Sequence, residues 1–202
     1  MILHALLIGA LVGVVVGSLG AGGGIVSVPI LVYVLGQDPH QATGLSLIIV
    51  GLTAAVSLAT RARSGNVAWR EATIFALAGL AGTWAGAALT GFLTGFFGVG
   101  GGFAIVPALH LALRYPMKRA SATSLLVMVI TAAFGLASRT LSGTLTITAE
   151  AVAMVALFTG ASMVGGFVGA RLTARVSNRV LGLVFAALLI IVAASTLAAT
   201  LA

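Results

Sequence analysis

The stretch Gly17-Ser-Leu-Gly-Ala-Gly-Gly-Gly-Ile-Val-Ser-Val-Pro29 returns, 78 residues later and without a gap, as Gly95-Phe-Phe-Gly-Val-Gly-Gly-Gly-Phe-Ala-Ile-Val-Pro107. The same spacing pairs Gly13 with Gly91, Ala42 with Ala120, Ser46 with Ser124, Leu47 with Leu125, Arg61 with Arg139 and Gly65 with Gly143. The chain therefore reads as a duplicated unit. A glycine-rich break inside an apolar span, present once per repeat, is the sequence mark of a secondary transporter whose site lies where the repeats meet.

The apolar setting follows from composition. Of 202 residues, 60% are hydrophobic and only 10 basic and 3 acidic residues are present, with a mean hydropathy of +1.24. A soluble domain of this size needs far more charge on its surface. The few charges fall in clusters, leaving the residues before Asp38 and residues 42–60, 72–113, 120–138, 151–170 and 180–202 uncharged. A helix crossing about 30 Å of hydrocarbon needs roughly 20 apolar residues, so each of these runs holds one span and 72–113 holds two.

A net charge of +7 would suggest nucleic acid in a soluble protein, but here the basic residues sit at the ends of apolar runs and set topology instead. About seven spans with the N-terminus inside put residues 61–71, 114–119 and 171–179 in the cytoplasm. Nine of the ten basic residues are then on one side, and Arg139 stands alone on the other. The repeats are antiparallel in this arrangement. An N-terminal signal peptide is the competing reading of residues 1–24, but the stretch has no Lys or Arg at its start and contains part of the repeated element.

The expected fold is an all-α polytopic membrane protein built as a first repeat, 1–89, a second repeat, 90–171, and a final helix, 172–202, together forming one membrane domain. Each repeat is read as a broken span, a second span, a polar turn and a third span. Val28-Pro29 and Val106-Pro107 follow the breaks, and proline lacks a backbone donor, so the helix is expected to interrupt there. Small-residue spacings such as Gly82/Gly86 and Gly165/Gly169 suit close helix packing. They are also compatible with a homodimer.

The triplets Gly22, Gly23, Gly24 and Gly100, Gly101, Gly102 leave backbone N–H groups unhindered. A helix resuming after them turns those donors and its positive dipole end toward an anion. Hydroxyl clusters, Thr43 with Ser46 and Ser121 with Thr123 and Ser124, open the second span of each repeat; Ser and Thr in such places also serve as caps and interhelical bonds. Neither glycine triplet completes a dinucleotide or P-loop fingerprint. Asp38, Glu71 and Glu150 lie at span ends, and with His4, His40 and His110 they form no paired acid, metal or nucleophile arrangement, so the chain does not read as an enzyme. His110, within an apolar run four residues before Arg114, takes an interfacial role first and proton coupling second. Cysteine is absent, which removes disulfides and thiolate sites.

The doubled G-x-G-G-G-x-x-x-V-P element, each copy followed by Ala-x-x-x-Ser-Leu (Ala42 to Leu47, Ala120 to Leu125) and by Ser64-Gly65 or Ser142-Gly143, resembles the TauE/SafE sulfite exporter family over nearly the whole chain. The resemblance implies a multi-pass inner-membrane permease for small anions such as sulfite or organosulfonates like sulfoacetate, working by alternating access without a cofactor. An anion channel or a non-transporting structural subunit is the alternative. Matched to the motif, the substrate-lining residues are Gly22, Gly23, Gly24, Ser46, Gly100, Gly101, Gly102, Thr123 and Ser124. The expected partners are the anion and the bilayer, not nucleic acid. Family members usually carry about eight spans, whereas Leu89 passes here into Thr90-Gly91 with no counterpart of the last span, so one span of the first half looks missing.

Overall fold

A computed structural model of the chain describes residues 2–20, 23, 27–28, 30–34, 36, 38–62, 65–85, 102–143 and 149–201, and among these there are helices and turns but no strand. The α-helices are α1 (Ile2–Leu19), α2 (Pro39–Ala62), α3 (Trp69–Ala85), α4 (Gly102–Pro107), α5 (Met117–Leu141), α6 (Ala149–Arg175) and α7 (Asn178–Leu201). Three stretches, Gln41–Ala62, Met117–Leu141 and Val155–Arg175, are long and apolar enough to cross a bilayer, and Leu6–Leu19 and Asn178–Ile191 are shorter apolar helices. Leu7, Leu11, Ile74, Leu77, Leu183 and Ile190 are exposed. Such side chains are unremarkable in lipid, where an outward leucine costs nothing.

Two helix pairs organise the bundle. The first is α1 against α6, and its cause is glycine. A Cβ on Gly13 would overlap the carbonyl oxygen of Ser162, one on Gly17 that of Gly166, one on Gly165 that of Ala10 and one on Gly169 that of Val14. These pairings keep a constant register, so the two helices run in the same direction with their backbones in contact. Since lipid tails are as apolar as leucine, such close approach, with its dispersion and Cα–H···O contacts, is what holds membrane helices together. The Gly165/Gly169 spacing thus packs as expected.

The second pair is α2 against α5. Arg61, in the last turn of α2, reaches Ser121 near the start of α5, while Arg139, in the last turn of α5, reaches Thr43 near the start of α2. Between these ends, a Cβ on Gly51 would meet Ala132, and one on Gly135 would meet Leu47. The helices are therefore antiparallel along their whole length. Their buried faces join Leu45, Ile49, Leu125 and Met128 to Val12 and Phe158 in the main core. Against the other side of α5, α3 packs Ala72 and Ala76 on Ala122, Leu126 and Val127.

These contacts also fix directions, and here the structure departs from the sequence reading. Thr53 bonds to Ser162 and Arg61 to Thr173, so α2 and α6 run together, and α1 runs with them. The C-terminal end of α1 consequently lies at the face that carries Arg61, where Arg61 donates to Ser18 O. Because α2 starts at the opposite face, the chain must cross back between Gly20 and Asp38. α1 and the turn at Ile30–Val34 thus do not continue one broken span: α1 runs toward the Arg61 face, and the chain is back at the opposite face by Asp38. The arrangement with the N-terminus on the basic side is corrected accordingly. A kink and a return look alike in sequence, because both need glycine where the backbone leaves the helix.

The expected interruption at Pro107 is also corrected. Pro107 keeps helical dihedrals, φ −60° and ψ −41°, and the chain continues as a π-wound turn over Ala108–Ala112. Pro107 thus lies inside α4 without the N–H that would bond to the carbonyl of Phe103, and the winding widens only beyond it. A second π-wound turn covers Ile30–Val34. Left-handed backbone occurs at Gly36 and Arg114 and at Gly65 and Gly143, as well as at Gly20.

Candidate functional site: a basic cleft floored by Arg61

An arginine at the end of an apolar helix must replace its hydration with hydrogen bonds or cost several kcal/mol. Arg61 is only 6% exposed, and three helices supply its partners. Nη1 donates to Ser121 Oγ at 2.7 Å, and Nη2 to Thr173 Oγ1 at 2.7 Å, to Ser18 O at 2.9 Å and to Gly17 O. The two carbonyls belong to the last turn of α1. Those groups have no acceptor role left inside their own helix and carry the negative end of its dipole, so a cation is stabilised there. Gly20 makes the geometry possible: its φ of +66° ends α1, and a Cβ there would overlap Ser121 O.

Beside Arg61 opens a cleft of about 430 Å³ between the ends of α2, α5 and α6, lined in part by Asn66, Lys118, Arg171, Thr173 and Arg175. None of the described lining residues is acidic. Lys118 Nζ donates to Ala174 O at 3.1 Å, and the Arg171 guanidinium lies over the Phe167 ring, 4.2 Å from its centroid. Four cations with hydroxyl and amide groups around a concave floor form a field that concentrates small anions. The guanidinium planes suit two oxygens of one oxyanion.

The residues expected to line substrate are distributed unevenly. Ser124 and Thr123 lie next to this floor, both fully buried. Ser124 Oγ donates to Gly20 O at 2.6 Å, and Thr123 Oγ1 accepts from Ala68 N at 3.2 Å. Ser46 is buried too, donating to Thr43 O at 2.9 Å. The antiparallel register sets it about 12 residues, roughly 18 Å, along α2 from the level of Ser124. The structure therefore groups Thr123 and Ser124 but not Ser46. Gly23 is buried where a Cβ would meet Val16 and Val50, each at 2.9 Å, an apolar setting midway along the bundle. Gly102 opens α4. Gly22, Gly24, Gly100 and Gly101 lie outside the described residues. His110 is exposed, with Nδ1 2.6 Å from Tyr115 O, an interfacial position.

Two residues escaped the sequence reading. By sequence Arg61 is one of the basic residues that set topology, although its pairing with Arg139 at the repeat spacing is a signal that the position does more. Ser27, between the first glycine triplet and Pro29, is fully buried with its hydroxyl lacking a hydrogen-bond partner; a lone serine among valines gave no signal.

The family model for the sulfite exporter TauE/SafE matches residues 5–90 and 87–196. The chain belongs to the TauE/SafE family. A probable membrane transporter protein of Xylella fastidiosa strain Temecula1 is 33% identical over 244 residues, covering 91% of this chain and 92% of the relative. One of Methanocaldococcus jannaschii is 25% identical over 188 residues, covering 66% and 70%. No solved structure matches. Since 91% of 202 residues is about 184, roughly 60 of the 244 positions aligned with the Xylella relative face no residue here. The chain is thus a multi-pass membrane protein of the TauE/SafE family, with transporter relatives.

Proposed function

We propose that this protein moves small oxyanions, sulfite or organosulfonates such as sulfoacetate, across the cell's inner membrane by alternating access between two inverted repeats. The observation that carries the reading is Arg61, buried at the floor of a four-cation cleft in a TauE/SafE chain. Its guanidinium is held by hydroxyls and carbonyls that an incoming oxyanion can replace, and hydrogen bonds between charged groups are about twice as strong as neutral ones. The inverted repeat is supported by structural coincidences at the 78-residue spacing: the π-wound turns at Ile30–Val34 and Ala108–Ala112, and the left-handed pairs Gly36 with Arg114 and Gly65 with Gly143. The antiparallel α2 and α5, which share that spacing, are the natural pair to relate the halves. The two family-model segments meet at residues 87–90, and the roughly 60 unmatched positions of the Xylella relative agree with missing membrane-spanning sequence.

Flux in proteoliposomes offered sulfite, sulfate, sulfoacetate, taurine or acetate tests the reading. The parent is expected to show saturable uptake and counterflow with sulfite or a sulfonate, and Arg61→Gln to lose at least about tenfold in apparent affinity, the effect of one charged hydrogen bond. Uptake that never saturates would make the protein a pore. Unchanged affinity in Arg61→Gln would move the site elsewhere.

A further inference from the structure

We infer that Arg139 and Thr43 form a second station for the same small oxyanions, at the face opposite the basic cleft. Arg139 Nη2 donates to Thr43 Oγ1 at 2.9 Å, and the arginine is half-buried. At the other end of the helix pair, Arg61 Nη1 donates to Ser121 Oγ. Donors and acceptors correspond at one spacing: residue 139 follows 61 by 78 positions, and residue 121 follows 43 by 78. One bond repeats the other with the helices exchanged. A feature kept twice in both its members, and realised twice as a contact between helices, is more than a helix-end arginine reaching the nearest oxygen.

Distance gives the pair its meaning. Thr43 and Arg61 are 18 residues apart on α2, about 27 Å along the axis, close to the roughly 30 Å of a hydrocarbon core. The two guanidinium groups therefore stand at opposite ends of one helix pair, where the two mouths of a path for the anion would lie. Among the described residues Arg139 is the Arg or Lys at its face, while the others gather at the Arg61 face. In each mouth the hydroxyl is a neutral latch that an oxyanion displaces, because a charged acceptor binds guanidinium more strongly than a neutral one. An anion leaving Arg61 is received by Arg139, and the reverse. The inference rests on the proposed anion transport and adds that the outer mouth recognises the anion by the same chemistry as the inner one.

The test is sided exchange of sulfite in proteoliposomes of the full chain, oriented by labelling single cysteines, which the parent lacks. Half-saturating sulfite is measured from each face. Arg139→Ala is expected to raise it at least about tenfold at the Arg139 face and less than about twofold at the cleft face, with Arg139→Lys between the two. Thr43→Val, which removes the latch and keeps the guanidinium, is expected to lower half-saturation at the Arg139 face alone. Equal effects of Arg139→Ala at both faces, or none, together with an unchanged Thr43→Val, overturn the station and leave Arg139 a helix clasp. A parent that exchanges no anion from either face fails the transport reading itself, a different pattern from a parent that exchanges while the Arg139 variants change nothing by side.

Discussion

Ser27 and Arg61 show how differently a polar side chain can be treated within one apolar bundle. Arg61 has bonds from α1, α5 and α6, and those bonds tie three helices to the end of α2. Ser27 has a buried hydroxyl without a partner, and leaving such a group unsatisfied costs about 1–3 kcal/mol. Replacing it with alanine removes the penalty along with the oxygen. Ser27→Ala is therefore expected to leave the ligand-free protein as stable as the parent or about 1 kcal/mol more stable, as read by thermal unfolding in detergent. A clear loss of stability would mean that the hydroxyl is satisfied in the folded protein. The same variant measured with sulfite adds a functional readout: if the hydroxyl serves the anion, the stabilisation conferred by sulfite shrinks while the baseline does not.

At the scale of helices, the glycine seam between α1 and α6 allows a sharper comparison. A Cβ at Gly13 would run into the Ser162 backbone, which cannot yield without separating the helices, whereas at Gly160 it would meet nothing within 4 Å. Alanine is a better helix former than glycine by about 0.5–1 kcal/mol. Gly160→Ala is thus expected to stabilise the protein slightly, and Gly13→Ala to destabilise it by about 1–3 kcal/mol, the range for overpacking. Unfolding of the two variants side by side decides this, and equal effects would sink the seam. The spacing of Gly165 and Gly169 made close packing legible in sequence, but the identity of the partner helix was not, since periodicity describes one helix at a time. Pro107 misled for a related reason. Its chemistry disfavours an α turn, and only the structure shows that α4 runs through Pro107 and widens beyond it rather than breaking. The hydroxyl clusters were legible as bonding groups, yet their separation along α2 and α5 follows from an antiparallel register that no local motif encodes.

For the whole molecule, charge and direction meet at one face. Lys118 bonds to Ala174 O and, through its backbone N–H, to Asn178 Oδ1, and the Tyr115 hydroxyl bonds to Glu71. The described parts of the three basic loops are therefore gathered together, as the asymmetry of Lys and Arg required. That part of the topology was readable from sequence because it depends on where charges stand along the chain. The direction of α1 was not, because its first charged residue, Asp38, comes only after the return crossing. The bonds from Arg61 to Gly17 O and Ser18 O place the end of α1 on the basic face, so its start belongs to the face of Arg139. Labelling with a membrane-impermeant maleimide separates the two arrangements. Ser177→Cys and Ser142→Cys, both exposed serines, are expected to react from opposite sides. A cysteine at position 4 is expected to react from the side that labels Ser142→Cys. Reaction from the Ser177→Cys side would restore the single broken span, and it would place the glycine-rich connection within one crossing rather than make it a crossing of its own.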